Sequence, residues 1–211
     1  MNTRLIRVGA VFAFAGALIL VAMVVVGGPI GEQMAAFGQP GTPEAYAAML
    51  QPVASTLITV MALDNVFLIA YTGTFIAAAA LVWPRARLLA AAGLGFAGLL
   101  AVLDVIENAL TVNMARAALA GVAIQPWEVS ALAAVEQVKY ASAALALVFF
   151  AAGILLALPG RRFPAIVAGM FVLFPVVNGL TVIDRAATPL LLLWMLVLLL
   201  AGGVLLWREG R

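Results

Sequence analysis

The residues equipped for chemistry are few and regularly spaced. Asp104, Glu107 and Asn108 stand at i, i+3 and i+4, and Glu136, Lys139 and Tyr140 repeat that geometry further along the chain. On a helix each trio lies on a single face. Asp64-Asn65 before them and Asn178 after them add a carboxylate and two amides inside otherwise apolar stretches. Lys139 is the one lysine, so it is the natural counter-charge for Asp64, Asp104 or Glu107, because a buried charge is tolerable only when paired. Carboxylates gathered in one site bind protons as a coupled set and attract cations. The same arrangement also suits acid–base catalysis, with Glu107 or Glu136 exchanging the proton and Lys139 or Tyr140 helping electrostatically. A third reading is structural, in which the network locks three helices together where they leave an apolar phase.

Other chemistries lack their residues. There is no cysteine and no histidine, which removes disulfides, imidazole-ligated haem, thiolate zinc and the Cys–His and Ser–His nucleophilic systems. Ser55, Ser130 and Ser142 sit in no Gly-x-Ser-x-Gly elbow, and neither a phosphate loop nor a metal-ligand spacing is present. No catalytic residue, metal ligand or cofactor is therefore assigned. A net charge of +2, spread along the chain, gives no basic patch for nucleic acid.

The elements that position these residues follow from composition. Of 211 residues, 66% are hydrophobic and 9% charged, and the mean hydropathy is +1.20, far from the globular mix. Segments crossing lipid must satisfy their own backbone, and long unalternating Ala/Leu/Val/Gly runs do so as helices, not as barrel strands. The predicted fold class is all-α, a polytopic integral membrane bundle of about six transmembrane helices in a single domain. Hydropathy alone gives spans near 6–26, 59–82, 88–110, 141–158, 163–182 and 190–206. Helix-start prolines and basic stops extend these to about 6–26, 55–83, 86–115, 131–158, 163–183 and 189–207. The first span is expected to be an uncleaved anchor, its apolar run being longer than that of a signal peptide.

Assigning loops alternately puts Arg4, Arg7, Arg85, Arg87, Arg161, Arg162, Arg208 and Arg211 on one side and only Arg116 and Arg185 on the other. By the positive-inside rule both termini are expected in the cytoplasm, with the chain in the cell's inner or plasma membrane. The second, third and fourth helices then exceed a hydrocarbon core of about 30 Å and protrude outward. The outer loop 27–51, carrying Glu32 and Glu44 and a short helix over 43–50, is expected to lie across them. Counted at about 1.5 Å per residue, Asp104 stands about 25 Å from Arg87, Glu107 about 30 Å, and Lys139 about 33 Å from Arg161. All polar candidates thus fall in the outer third.

Two local patterns complete the reading. Asn108-Ala109-Leu110-Thr111-Val112 and Asn178-Gly179-Leu180-Thr181-Val182 close the third and fifth spans alike, hinting at tandem hairpins. Gly93, Gly95 and Gly98 are expected to admit a neighbouring backbone, and Pro175 to bend the fifth span below Asn178.

One-sided polarity argues against a channel or carrier, which needs polar groups along its whole path. The expectation is a membrane protein that binds a small ligand, a cation or a partner subunit at its outer face. The alternatives are a proton- or cation-coupled solute transporter and a metal-independent intramembrane enzyme using paired carboxylates. Its expected partners are the lipid bilayer, that small ligand or cation, and membrane subunits or further copies of itself.

Overall fold

The computed structural model describes residues 3–31, 33 and 41–211, the side chain of Arg185 excepted. Among these the chain is all-helical. Seven α-helices follow in order: α1 Thr3–Gly27, α2 Pro43–Leu50, α3 Ala54–Val82, α4 Arg87–Ala120, α5 Pro126–Ala157, α6 Arg162–Ile183 and α7 Thr188–Glu209. Short 3-10 turns, Gly28–Ile30 and Arg185–Ala187, extend α1 and lead into α7. All but α2 are long and apolar enough to cross a membrane. Of the expected loop 27–51, residue 32 and residues 34–40 lie outside the described set; Pro43–Leu50 is helical, with Thr42 accepting the Ala45 N–H at its start.

The six long helices form a ring in chain order. Each packs on its neighbours, α7 closes onto α1, and α3 reaches across to α5 and α7, while α2 lies against α4 and α5. Helix length divides the ring. At about 1.5 Å per residue, α3, α4 and α5, with 29, 34 and 32 residues, measure about 44, 51 and 48 Å, against about 33 Å for α6 and α7 with 22 each. Caps set these ends. Gly121 closes α4 at φ +67, a conformation only glycine adopts freely, and the Val122 N–H returns to the Ala117 carbonyl at 2.9 Å. At the start of α5 Pro126 follows Gln125, whose own N–H donates to the Glu128 carboxylate at 2.8 Å.

Seven of the eight arginines that share one side in the sequence reading are Arg7, Arg85, Arg87, Arg161, Arg162, Arg208 and Arg211, and with Arg4 they gather at one end of the bundle. Several tie helix ends together there. Arg7 Nε donates to the Gly210 carbonyl at 2.7 Å, Arg85 donates to the Ala157 carbonyl, and Arg161 pairs with Glu209 at 2.5 Å. Close backbone approach holds α1 to α3, where a Cβ on Gly9 would sit 1.9 Å from that of Ala77. Of the three glycines expected to admit a neighbouring backbone in α4, Gly93 instead makes room for the Phe150 ring. Gly95 and Gly98 meet no neighbour: nothing lies within 4 Å of an added Cβ, because they face outward from the bundle.

The apolar interior is in two parts. One, nearer the arginine-rich end, centres on Val82, Ala90, Phe150, Ile154 and Val167. The other, at the far end, brings Tyr46 and Leu50 of α2 onto Leu57, Met114, Val129 and Leu132 of α3, α4 and α5. Between them α3, α4 and α5 carry a polar layer.

Candidate functional site

That layer is built from three helix faces. On α4 the i, i+3, i+4 spacing turns Asp104, Glu107 and Asn108 toward α3 and α5, and Asp104 and Asn108 are buried, at 7% and 3% exposure. Lys139 of α5 inserts between the carboxylates: its Nζ lies 3.2 Å from Asp104 Oδ1 and 2.5 Å from Glu107 Oε2. Across from them on α3, the Asn108 amide donates to Asp64 at 2.8 Å and to Asn65 Oδ1 at 3.2 Å. Asn65 in turn donates to the Met61 carbonyl of its own helix at 3.1 Å. The three helices are thereby joined through one charge-and-amide network.

Tyr71 completes it from below. Its hydroxyl donates to Asp104 Oδ2, leaving that carboxylate shared between a phenol and an ammonium. Tyr71 is not among the sequence candidates, yet it stands seven residues after Asp64, two helical turns on and on the same face. Its ring belongs to an aromatic column: Phe67 and Phe75 meet it edge-on, with centroids at 5.5 and 5.9 Å, and Phe75 stacks on Phe150 at 5.5 Å. This column separates the network from the arginine-rich end. Toward that end Thr74 and Ser142 bond the carbonyls one turn back in their own helices, and the Thr72 hydroxyl is buried without a partner.

The remaining candidates fall in different places. Tyr140 lies beside the network, with Lys139 Nζ 5.2 Å from its ring centre, and the half-buried Glu136 stands one turn before Lys139 on α5. Asn178 is not brought in. It lies on α6, which packs on α5 and α7, its backbone carbonyl accepts from Thr181 at 2.7 Å, and its side-chain oxygen is buried without a partner. The likeness of the segments around Asn108 and Asn178 thus does not extend to what the two side chains bind.

A second buried carboxylate also escaped the sequence reading. Glu128, 3% exposed, holds the Gln125 N–H with one oxygen and accepts from the Asn113 amide at 2.5 Å with the other, pinning the start of α5 to α4. Its position as the third residue of a capped helix start was the available signal. Beside it an open groove of about 420 Å³ runs along α4, lined by Asn65, Asn108, Asn113 and Arg116 among the polar residues and by Val105, Ala109 and Val112. Asn65 and Asn108 are common to groove and network. Among the described residues, no group of three or more carboxylates converges as metal ligands would.

No protein family matches the chain, and no curated protein or solved structure is significantly similar to it.

Proposed function

We propose that the protein is an integral inner-membrane protein, arginine-rich end in the cytoplasm, that binds a small cation at its extracytoplasmic side through the α3–α4–α5 network. One observation carries this reading: the Lys139 ammonium stands between Asp104 and Glu107 at 3.2 and 2.5 Å, and Asn108 on the same face of α4 as both holds Asp64 at 2.8 Å. Three carboxylates against one lysine leave the site short of positive charge in a setting where water cannot screen the deficit. The groove bounded by Asn65 and Asn108 supplies a route to Asp64 from the far end, and the aromatic column on the other side supports binding over passage. A transport reading needs a polar path where Phe67, Phe75 and Phe150 stand.

The test is thermal stability of the detergent-solubilised chain against sodium, potassium and tetramethylammonium, in the wild type and in Glu107→Gln. A ligand that binds only the folded state raises stability by mass action. Stabilisation by one of these cations that disappears in Glu107→Gln is the expected result. Equal curves with and without every cation, in both proteins, reduce the network to a lock between helices.

A further inference from the structure

The groove beside the network has a second character besides its part in the route to Asp64. It is amphipathic along its length. Val105, Ala109 and Val112 make an apolar strip on α4, and Asn113 and Arg116 follow on the same helix in the direction of the far end. Counted from Arg87 at about 1.5 Å per residue, Val105 lies about 27 Å and Arg116 about 44 Å along α4. With Arg87 at the inner membrane surface, a headgroup zone of about 5–7 Å and then a hydrocarbon core of about 30 Å end between Ala109 and Val112, and the outer headgroup zone occupies the next few ångströms. Side chains on a helix lean toward its N-terminus, so Arg116 leans back toward that zone, in agreement with its place in the groove wall.

Arg116 has no counter-ion among the described residues, whereas Arg161 at the other end is paired with Glu209. Donors remain in the wall as well. An asparagine amide has two N–H groups; Asn65 spends one on the Met61 carbonyl and Asn113 one on Glu128, leaving each with another. A guanidinium without a counter-ion among the described residues and two amide donors above an apolar strip fit an anion attached to a hydrocarbon chain. A guanidinium binds a phosphate through two parallel hydrogen bonds.

We propose that this groove seats a phospholipid of the outer leaflet, its phosphate on Arg116 and an acyl chain along Val105, Ala109 and Val112. This rests on the membrane orientation given above, and it shares the Asn65–Asn108 end of the groove with the route proposed for the cation. The experiment uses the full chain, delipidated in detergent, with native mass spectrometry for retained lipid and thermal stability for affinity. The probes are dioleoylphosphatidylglycerol, dioleoylglycerol, which lacks the phosphate, and inorganic phosphate. One phosphatidylglycerol retained per chain, with at least tenfold weaker binding in Arg116→Gln and no shift from the other two probes, is the expected outcome. Ala109→Trp fills the strip without altering charge and should weaken binding alike, which keeps the test decisive if Arg116→Gln folds poorly. Undiminished binding in both variants, equal binding of dioleoylglycerol, or equal stabilisation by inorganic phosphate overturns the proposal. Glu107→Gln separates the two sites: it should abolish a cation response and leave lipid retention intact, so either reading fails alone.

Discussion

Removing Lys139 strips Asp104 and Glu107 of their shared counter-charge while leaving both carboxylates in place. At side-chain exposures of 13% for the lysine, 9% for Asp104 and 18% for Glu107, water screens the loss poorly. Lys139→Met is therefore expected to destabilise the protein by about 3–5 kcal/mol, and the double variant Lys139→Met/Glu107→Gln to recover part of that, measured by denaturation in detergent. A double variant no better than the single one would mean that the lysine acts by filling space. Tyr71→Phe isolates the smaller contribution, since it leaves a buried carboxylate oxygen without its donor, and a loss of about 1–3 kcal/mol is expected from the same assay. These residues differ in how visible they were. Asp104, Glu107 and Lys139 stood out because ionisable groups are rare in this chain and their spacing fixes a face. Tyr71 and Glu128 did not, the first because phenols are common in apolar helices and the second because it sits outside the hydropathy-defined span. Asn178 was grouped with them by depth alone, and depth says nothing about which way round the ring a helix faces.

At the scale of elements, close approach and helix ends decide the geometry. The seam between α1 and α3 depends on Gly9, where an added methyl would stand 1.9 Å from the Ala77 Cβ. Neither backbone can yield without moving its whole helix, so Gly9→Ala should cost about 1–3 kcal/mol as an overpacking change. Ala77→Gly in the same chain should restore most of that loss, because it empties the contested volume. Gly98→Ala, with open space around the new methyl, should leave the melting temperature within error or raise it, helix propensity favouring alanine. All three variants are read by thermal melting in one detergent. Composition made the existence and number of long helices legible, since long apolar runs have one backbone solution in lipid. It said less about which glycines touch a partner, because Gly93, Gly95 and Gly98 look alike until the rotational setting of α4 is known. The far ends of α4 and α5 lie past the expected spans, which stopped at 115 and began at 131, whereas the helices run to Ala120 and from Pro126. Beyond the apolar span these helices carry Asn113, Arg116 and Glu128, and hydropathy averages such residues into a loop.

For the whole molecule, in the membrane placement proposed above, the difference in length between α3, α4, α5 and the shorter α6 and α7 puts one end of the bundle beyond the membrane. At that end the second apolar cluster, with α2 packed on it, gives the protruding helices a core of their own. A compact cap of this kind needs a solvent-side reason to persist, and holding the polar network and its groove at the membrane boundary supplies one. The arginines set which end faces out, through the positive-inside tendency. Because the chain has no cysteine, single cysteines can report it directly in an unmodified background. Val122, exposed just after α4, and Pro159, exposed just after α5, lie at opposite ends of one helix. In intact cells a membrane-impermeant maleimide should label Val122→Cys, and should reach Pro159→Cys only after the membrane is opened. The reverse pattern would place the arginine-rich end outside and move the groove to the cytoplasmic leaflet. Labelling of both from outside would mean that α5 does not cross at all, and with it the ring that positions Lys139 between Asp104 and Glu107 would have to be redrawn.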